Sequence, residues 1–134
     1  MACVFCDVIA QGEELILRRD GMAAFLDIRP VFHGHVLIAP VDHVDTLAQL
    51  PPALMQPLLT TAQTVMAALA EVVGAEGTFV AMNNVVSQSV PHLHCHVVPR
   101  RRGDGLRGFF WPRHPYPDDT ARRAMRDRLR EAVG

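Results

Sequence analysis

The run Pro91-His92-Leu93-His94-Cys95-His96-Val97-Val98-Pro99 constrains this chain more than any other stretch. Its three imidazoles fall at i, i+2 and i+4, with apolar residues between and after them, which is the alternation of a half-buried β-strand. Side chains alternate faces along a strand, so the spacing predicts that all three rings leave the same side. A solvated face seldom repeats one residue type so regularly. Neutral imidazole is both a nucleophile and a metal ligand near pH 7, so the row predicts a reactive site or a metal site.

The rest of the chain sets the frame for that strand. At 134 residues it is expected to form one domain, 1–134, burying roughly two-thirds of its unfolded surface. An apolar content of 49% and a net charge of −1 argue against a nucleic-acid binder that works by bulk charge. No apolar run reaches membrane-spanning length, and Met-Ala-Cys-Val-Phe-Cys-Asp at the start lacks the regions of a secretory signal. The expected address is the cytoplasm, with no membrane partner. In that reducing setting three cysteines point to metal or chance rather than to disulfides, and two form Cys3-x-x-Cys6.

Residues 4–11 predict a short helix stopped by Gly12. Met22–Asp27 and Gly34–Ala39 predict two strands joined as a hairpin or meander pair, and Asp42–Leu50 a short helix or turn. From Pro52 to Val73, the residues Leu54, Leu58, Ala62, Val65, Leu69 and Val72 recur every three to four positions. That spacing predicts one long amphipathic helix, with Pro near its start and Gly74 past its end. Thr78–Met82 predicts a strand, Asn83–Ser89 a loop and about Asp118–Ala132 a last helix. Strands gathered around one long helix predict an α+β fold with an antiparallel sheet.

Two chemistries fit the histidines. All three rings could hold a catalytic zinc with an open fourth position, or one ring could be a nucleophile with a neighbour as acid or base. Gln88 and Ser89, just upstream, offer neutral hydrogen-bond donors that suit an anionic oxygen such as a phosphate. The second reading is therefore favoured.

The stretch from Asn83 to Arg100 resembles the signature of the histidine triad family of nucleotide hydrolases and transferases. Three histidines alternate with apolar residues there, and Gln88 precedes the first by four positions. Cys3-Val-Phe-Cys6, Phe25-Leu-Asp27-Ile28-Arg-Pro, Gly34-His35-Val-Leu-Ile and Pro40-Val-Asp-His43 resemble further family landmarks, in order. Pro99-Arg100 and Gly103-Asp104 are similar to the fragile-histidine-triad branch. The resemblance covers most of residues 3–102, leaving a carboxy-terminal extension of about 103–134. It implies a sheet of about five antiparallel strands with one long helix and a carboxy-terminal helix.

By resemblance His94 would be the nucleophile at an α-phosphorus, and His96 would contact the phosphate and assist the leaving group. Gln88 and Ser89 would bind the phosphate or the leaving group, Asp27 the ribose, and Phe5, Phe25 and Ile28 the base. Asn83 would take the family's loop Asn only across a gap, because the loop before Gln88 is about two residues shorter than usual and lacks its glycine. The implied substrates are dinucleoside polyphosphates, nucleoside phosphoramidates or related adenylated compounds. Resolution by phosphate, or a slow nucleotide-binding regulatory dimer, are the alternatives.

The resemblance to bacterial members also implies a structural zinc on Cys3, Cys6, His43 and His92, two thiolates and two imidazoles that suit a closed tetrahedral site. No organic cofactor is expected. Met55, Leu59 and Met66 lie beside the main stripe of the long helix. One small sheet covers only one stripe, so a homodimer is expected. Arg100-Arg101-Arg102 reads as a solvated face or, alternatively, as a guide for a polyanionic leaving group. The only Trp, Trp111, reads as core, or as a determinant of selectivity in a partner's site.

Overall fold

The structure, a computed structural model, describes residues 2–107 and 112–134. The aromatic segment 108–111, and with it the expectation for Trp111, lies outside the described residues. Contacts divide the chain into two compact units, Met1–Asp104 and Gly105–Gly134.

In the first unit, helix α1 (Val4–Gln11) starts at Cys3, whose Sγ accepts from the Cys6 N–H, and stops at Gly12 with φ 80°. Strands β1 (Leu15–Arg19) and β2 (Met22–Leu26) follow. They are joined by Asp20 and Gly21, both with positive φ (53° and 79°). That is the type I′ geometry whose twist matches a tight hairpin. Strand β3 (Val36–Pro40) pairs antiparallel with β2 along its whole length. Two short 3₁₀ turns, Leu47–Gln49 and Pro52–Leu54, lead into α2 (Met55–Val73), which Gly74 ends with φ 66°. Strands β4 (Gly77–Ala81) and β5 (Cys95–Arg100) complete a five-stranded antiparallel sheet of order β1-β2-β3-β5-β4. β1 was not expected from the sequence, whereas the other elements fall within a few residues of their predicted spans.

Alternation along the strands divides the sheet into two apolar faces. Met22, Ala24, Val36, Ile38, Cys95 and Val97 face α2, where Leu58, Ala62, Val65 and Leu69 close the larger core. Ala23, Phe25, Leu37 and Ala39 face α1, meeting Phe5 and Ile9. Each large side chain so buried contributes about 1.5–3 kcal/mol. The predicted helix stripe needs one correction: Val72 is 77% exposed, and Val73 packs on the core instead. Gly34 enters β3 with φ 98°, and a Cβ there would sit 3.2 Å from Leu69 Cδ2; only glycine lets the chain turn that close to α2.

The arginine run is structural. Arg100 clasps Asp104 at 2.6 and 3.0 Å, and Arg101 donates to the Val73 carbonyl at the C-terminal end of α2. Arg102 pairs with Glu76 at 2.8 Å on the exposed surface. Arg100 thus closes the turn after β5 through a carboxylate, and Arg101 ties that turn to the backbone at the end of α2.

In the second unit, α3 (Asp119–Val133) is capped by Asp118, whose Oδ1 accepts from the Ala121 N–H at 2.7 Å. Pairs Arg122–Asp119 and Arg130–Asp127 lie along it. Among the described residues, no helix is long and apolar enough to cross a membrane.

Candidate active site and metal centre

The expected histidine strand is shorter than its sequence pattern. β5 begins only at Cys95, and the β3–β5 ladder ends at the pair Ile38↔Cys95. Prolines explain the difference. Pro91 and Pro40 have no N–H to offer a ladder, and the Pro40 carbonyl accepts instead from His92 Nε2 at 2.8 Å. The backbone turns sharply there, with His92 N–H donating to Val90 O and Leu93 N–H to Val44 O, both at 2.8 Å. The three rings therefore do not share one site. His94 and His96 lie together, with ring centroids 5.0 Å apart, while His92 stacks edge-on against His43 at 4.6 Å. Among the described residues, His94 belongs to no cluster that could hold a metal, which removes the three-histidine catalytic zinc.

His94 and His96 open onto a cavity of about 800 Å³ that also takes in Phe5, Phe25, Asp27, Ile28 and Ser89. Phe5 and Phe25 meet edge to face at 5.2 Å, and Phe5 meets the His94 ring at 4.9 Å. These two rings are core and cavity wall at once. Ile28 is 92% exposed at the rim. Asp27, just past the end of β2, is partly buried; its Oδ1 accepts from the Arg29 N–H at 2.9 Å. Cys95 points to the opposite face, and burial pushes its thiol up to about 11, so it packs as a small hydrophobe.

Hydrogen bonds fix the tautomers of the rings. His94 Nδ1 donates to the His92 carbonyl at 2.8 Å, which leaves a lone pair on Nε2 of the neutral ring. His35, buried in β3's approach, accepts the Val31 N–H on Nδ1 at 3.1 Å, so its Nε2 carries the proton. That Nε2–H donates to His96 Nδ1 at 2.9 Å, and the His96 proton therefore sits on Nε2. Burial first, then the neighbouring His94 and His35, hold the His96 imidazolium down to about 4, with Asp27 opposing; His96 is neutral at pH 7. Asp27, His35 and His96 are close enough together to suggest a metal site. The Val31 N–H rules it out for neutral His35, because Nε2 then has no lone pair to give.

His35 is the site residue that sequence reasoning missed. It stood inside a family landmark, but nothing in its local pattern signals that β3 register would set Leu37 opposite His96 and bring the two rings together. Two expected residues lie off the cavity. Asn83 donates to Ser87 O at 3.2 Å. The Gln88 amide is engaged on both sides, accepting the Val85 N–H at 3.1 Å and donating to Asp45 O at 2.6 Å.

The second constellation is compact. Ligand atoms of Cys3, Cys6, His43 and His92 all lie within 4.8 Å of one another. His92 Nδ1 lies 3.4 Å from Cys3 Sγ and 3.5 Å from Cys6 Sγ, and His43 Nδ1 lies 3.4 Å from Cys6 Sγ. A tetrahedral zinc with bonds of ordinary length would separate sulfur from nitrogen by about 3.6 Å, so these spacings fit one. Both imidazoles also have the outer partner that zinc histidines usually keep: His92 Nε2 donates to Pro40 O, and His43 Nε2 to Asp45 Oδ1, each at 2.8 Å.

The HIT domain family model matches residues 10–103. The chain belongs to the HIT family. An uncharacterized HIT-like protein of Mycobacterium tuberculosis is 36% identical over 130 residues, covering 91% of this chain and 90% of its own. The adenosine 5'-monophosphoramidase hnt1 of Schizosaccharomyces pombe is 30% identical, covering 86% of each chain. The adenylylsulfatase HINT3 of Arabidopsis thaliana is 34% identical over 78% of this chain and 55% of its own. HIT relatives of this chain thus include nucleotide hydrolases. Among solved structures, a zinc-bound histidine triad protein of Mycobacterium smegmatis superposes with a TM-score of 0.73 at 33% identity over 98% of both chains.

Proposed function

We propose that this HIT protein is a nucleotide hydrolase or nucleotidyl transferase that works through a covalent nucleotidyl-histidine on His94. One observation carries the reading. The hydrogen bond from His94 Nδ1 to the His92 carbonyl leaves an unprotonated Nε2 on a ring that borders the large cavity. That nitrogen attacks the α-phosphorus, the bond to the leaving group breaks, and water or another acceptor later displaces the nucleotide from nitrogen. His96, with its proton on Nε2, donates a hydrogen bond to the phosphate or leaving group, and Ser89 adds a hydroxyl donor. His35 holds His96 in that tautomer. Asp27 receives the ribose hydroxyls, and Phe5, Phe25 and Ile28 enclose the base. Gln88 acts on the phosphate only if its two loop bonds are exchanged for it, and Asn83 serves the loop. The substrates are adenylated compounds of the phosphoramidate, sulfate or dinucleoside polyphosphate kind.

A structural zinc on Cys3, Cys6, His43 and His92 belongs to the same reading. It would tie the amino terminus to the segment that carries His92 and so steady the carbonyl to which His94 donates. The protein works as a homodimer in the cytoplasm. The decisive experiment is mass spectrometry of protein quenched during turnover of an adenosine phosphoramidate. An adenylyl group on the peptide bearing His94 is expected, and His94→Ala should lose it while still binding nucleotide. A His94→Ala protein that turns over within about tenfold of wild type refutes the mechanism.

A further inference from the structure

The Asn83–Gln88 loop holds a strained backbone without a glycine to absorb it. Val85 and Ser87 have φ of 70° and 61°, a region that L-residues adopt only where the surroundings over-determine it. Val85 is β-branched, the least suited of residue types. Val85 and Val86 are 75% and 79% exposed, so apolar burial does not hold the loop. Polar contacts do. Within it, Gln88 Oε1 accepts from the Val85 N–H, and Asn83 Nδ2 donates to Ser87 O. Two more reach outward: Asn84 Oδ1 accepts from the Leu47 N–H at 2.8 Å, and Gln88 Nε2 donates to Asp45 O at 2.6 Å.

Both outward bonds end on one turn, Asp45 to Leu47. Gln49 Oε1 steadies that turn by accepting the Asp45 and Thr46 N–H groups at 3.1 and 3.2 Å. Its other support is the bond from His43 Nε2 to Asp45 Oδ1. Asp45 therefore touches the four-ligand centre through its carboxylate and the strained loop through its carbonyl. Ser89 follows Gln88 directly and borders both the large cavity and a second one, of about 580 Å³, beside Cys3, Cys6 and His43.

We propose that Asp45 is a positioning residue that couples metal occupancy at Cys3, Cys6, His43 and His92 to the shape of the Asn83–Gln88 loop, and through it to Ser89. The coupling rests on the zinc reading above. With metal on Nδ1, the exposed His43 ring is pinned and its Nε2–H is aimed at Asp45. Without metal the ring is free to turn, the carboxylate loses its partner, and the turn loosens. The strain at Val85 and Ser87 then favours relaxation of the loop, and Ser89 leaves the phosphate end of the cavity.

The test follows amide hydrogen exchange over residues 84–89, zinc content and steady-state kinetics with an adenosine phosphoramidate in the full chain. It compares zinc-loaded with chelated protein, for wild type, Asp45→Ala and Asp45→Asn. Chelation should speed exchange in 84–89 by about tenfold or more while β2 and β3 amides stay protected. Asp45→Ala should do the same in zinc-loaded protein, weaken zinc binding by about tenfold, and raise KM more than it lowers kcat. Asp45→Asn, whose amide oxygen still accepts from His43, should restore all three. Unchanged loop exchange in chelated wild type overturns the coupling alone, and so does exchange that rises equally in β2 and β3. Wild type that neither contains nor takes up zinc overturns the metal reading and the coupling together. Should Asp45→Ala fail to fold, Asp45→Ser, which keeps the backbone carbonyl but lacks the reach to His43, takes its place with the same expected results.

Discussion

His96 makes stability depend on pH in a calculable way. A histidine in an unfolded chain takes up its proton through pH 6.5, whereas folded His96 does so only near 4, because burial and then the facing His94 and His35 disfavour its charge. Between those values the unfolded state binds one proton more, so folding weakens as the pH falls. The contribution is fully present above 6.5, is lost progressively on the way down, and is gone below 4. A window of about 2.5 pH units at about 1.36 kcal/mol per unit sets a ceiling of about 3.4 kcal/mol. His96 is only partly buried, and solvent screening brings that to about 2 kcal/mol. The control is His96→Asn, whose amide oxygen can still accept from His35 Nε2. Both proteins share the metal centre, so acid loss of its ligands cancels in the difference. Urea unfolding at intervals from about pH 7.5 to 4.5, which spans about three-quarters of that change, should show the stability of wild type, relative to the variant, falling by about 1.5 kcal/mol. Parallel curves would refute the reasoning, as would a His96 ring that titrates near 6.5 by NMR.

Asp27→Ala should weaken a ribonucleotide by about 1–3 kcal/mol and a 2'-deoxyribonucleotide by less, since a vicinal hydroxyl pair is left unmatched; equal losses by calorimetry would remove Asp27 from the ribose. Protein purified without added metal should hold about one zinc per chain by elemental analysis, and Cys6→Ser should lose most of it together with thermal stability. Full occupancy in that variant would displace Cys6 from the ligand set. Met66→Glu, on the exposed stripe beside Met55 and Leu59, should give monomers or insoluble protein; light scattering that shows monomeric wild type at tens of micromolar would dispose of the dimer. Arg102→Ala should leave kcat/KM for a dinucleoside polyphosphate within about twofold, because its exposed pair with Glu76 stands away from the cavity; a larger fall would restore a steering role.

The parts of the fold legible in the sequence are those where local pattern and tertiary burial agree. The stripe through Leu58, Ala62, Val65 and Leu69 had one core to face and found it. β2 and β3 were legible as short continuous apolar runs bounded by turn residues, because each strand is buried on both faces. β1 was missed although Asp20-Gly21 is a strong hairpin signal. Its own residues, Leu15 to Arg19, are partly or fully exposed and bear two arginines, so apolar periodicity barely marks them. The arginine run reads as a solvated face, and Arg101 and Arg102 are indeed exposed; only the turn that brings Asp104 back to Arg100 shows what the first of them does.

The histidine run was legible as a row of rings, and Phe5 does lie against both His92 and His94; what the spacing alone does not give is the chemical reason the row divides between two sites. Period-two spacing put three rings on one face, but that inference assumes an unbroken ladder. The β3–β5 ladder ends at Ile38↔Cys95, and beyond it Pro40 and Pro91 offer no N–H, so the Pro40 carbonyl is left to accept from His92 Nε2. One motif thereby serves two sites: His92 turns towards Cys3, Cys6 and His43, while its own carbonyl orients His94 and leaves His94 and His96 to the cavity. The two proline gaps thus turn a uniform pattern into a division of labour. They also place the peptide that fixes the nucleophile's tautomer directly on a residue of the metal centre, so whatever holds His92 also holds the proton of His94.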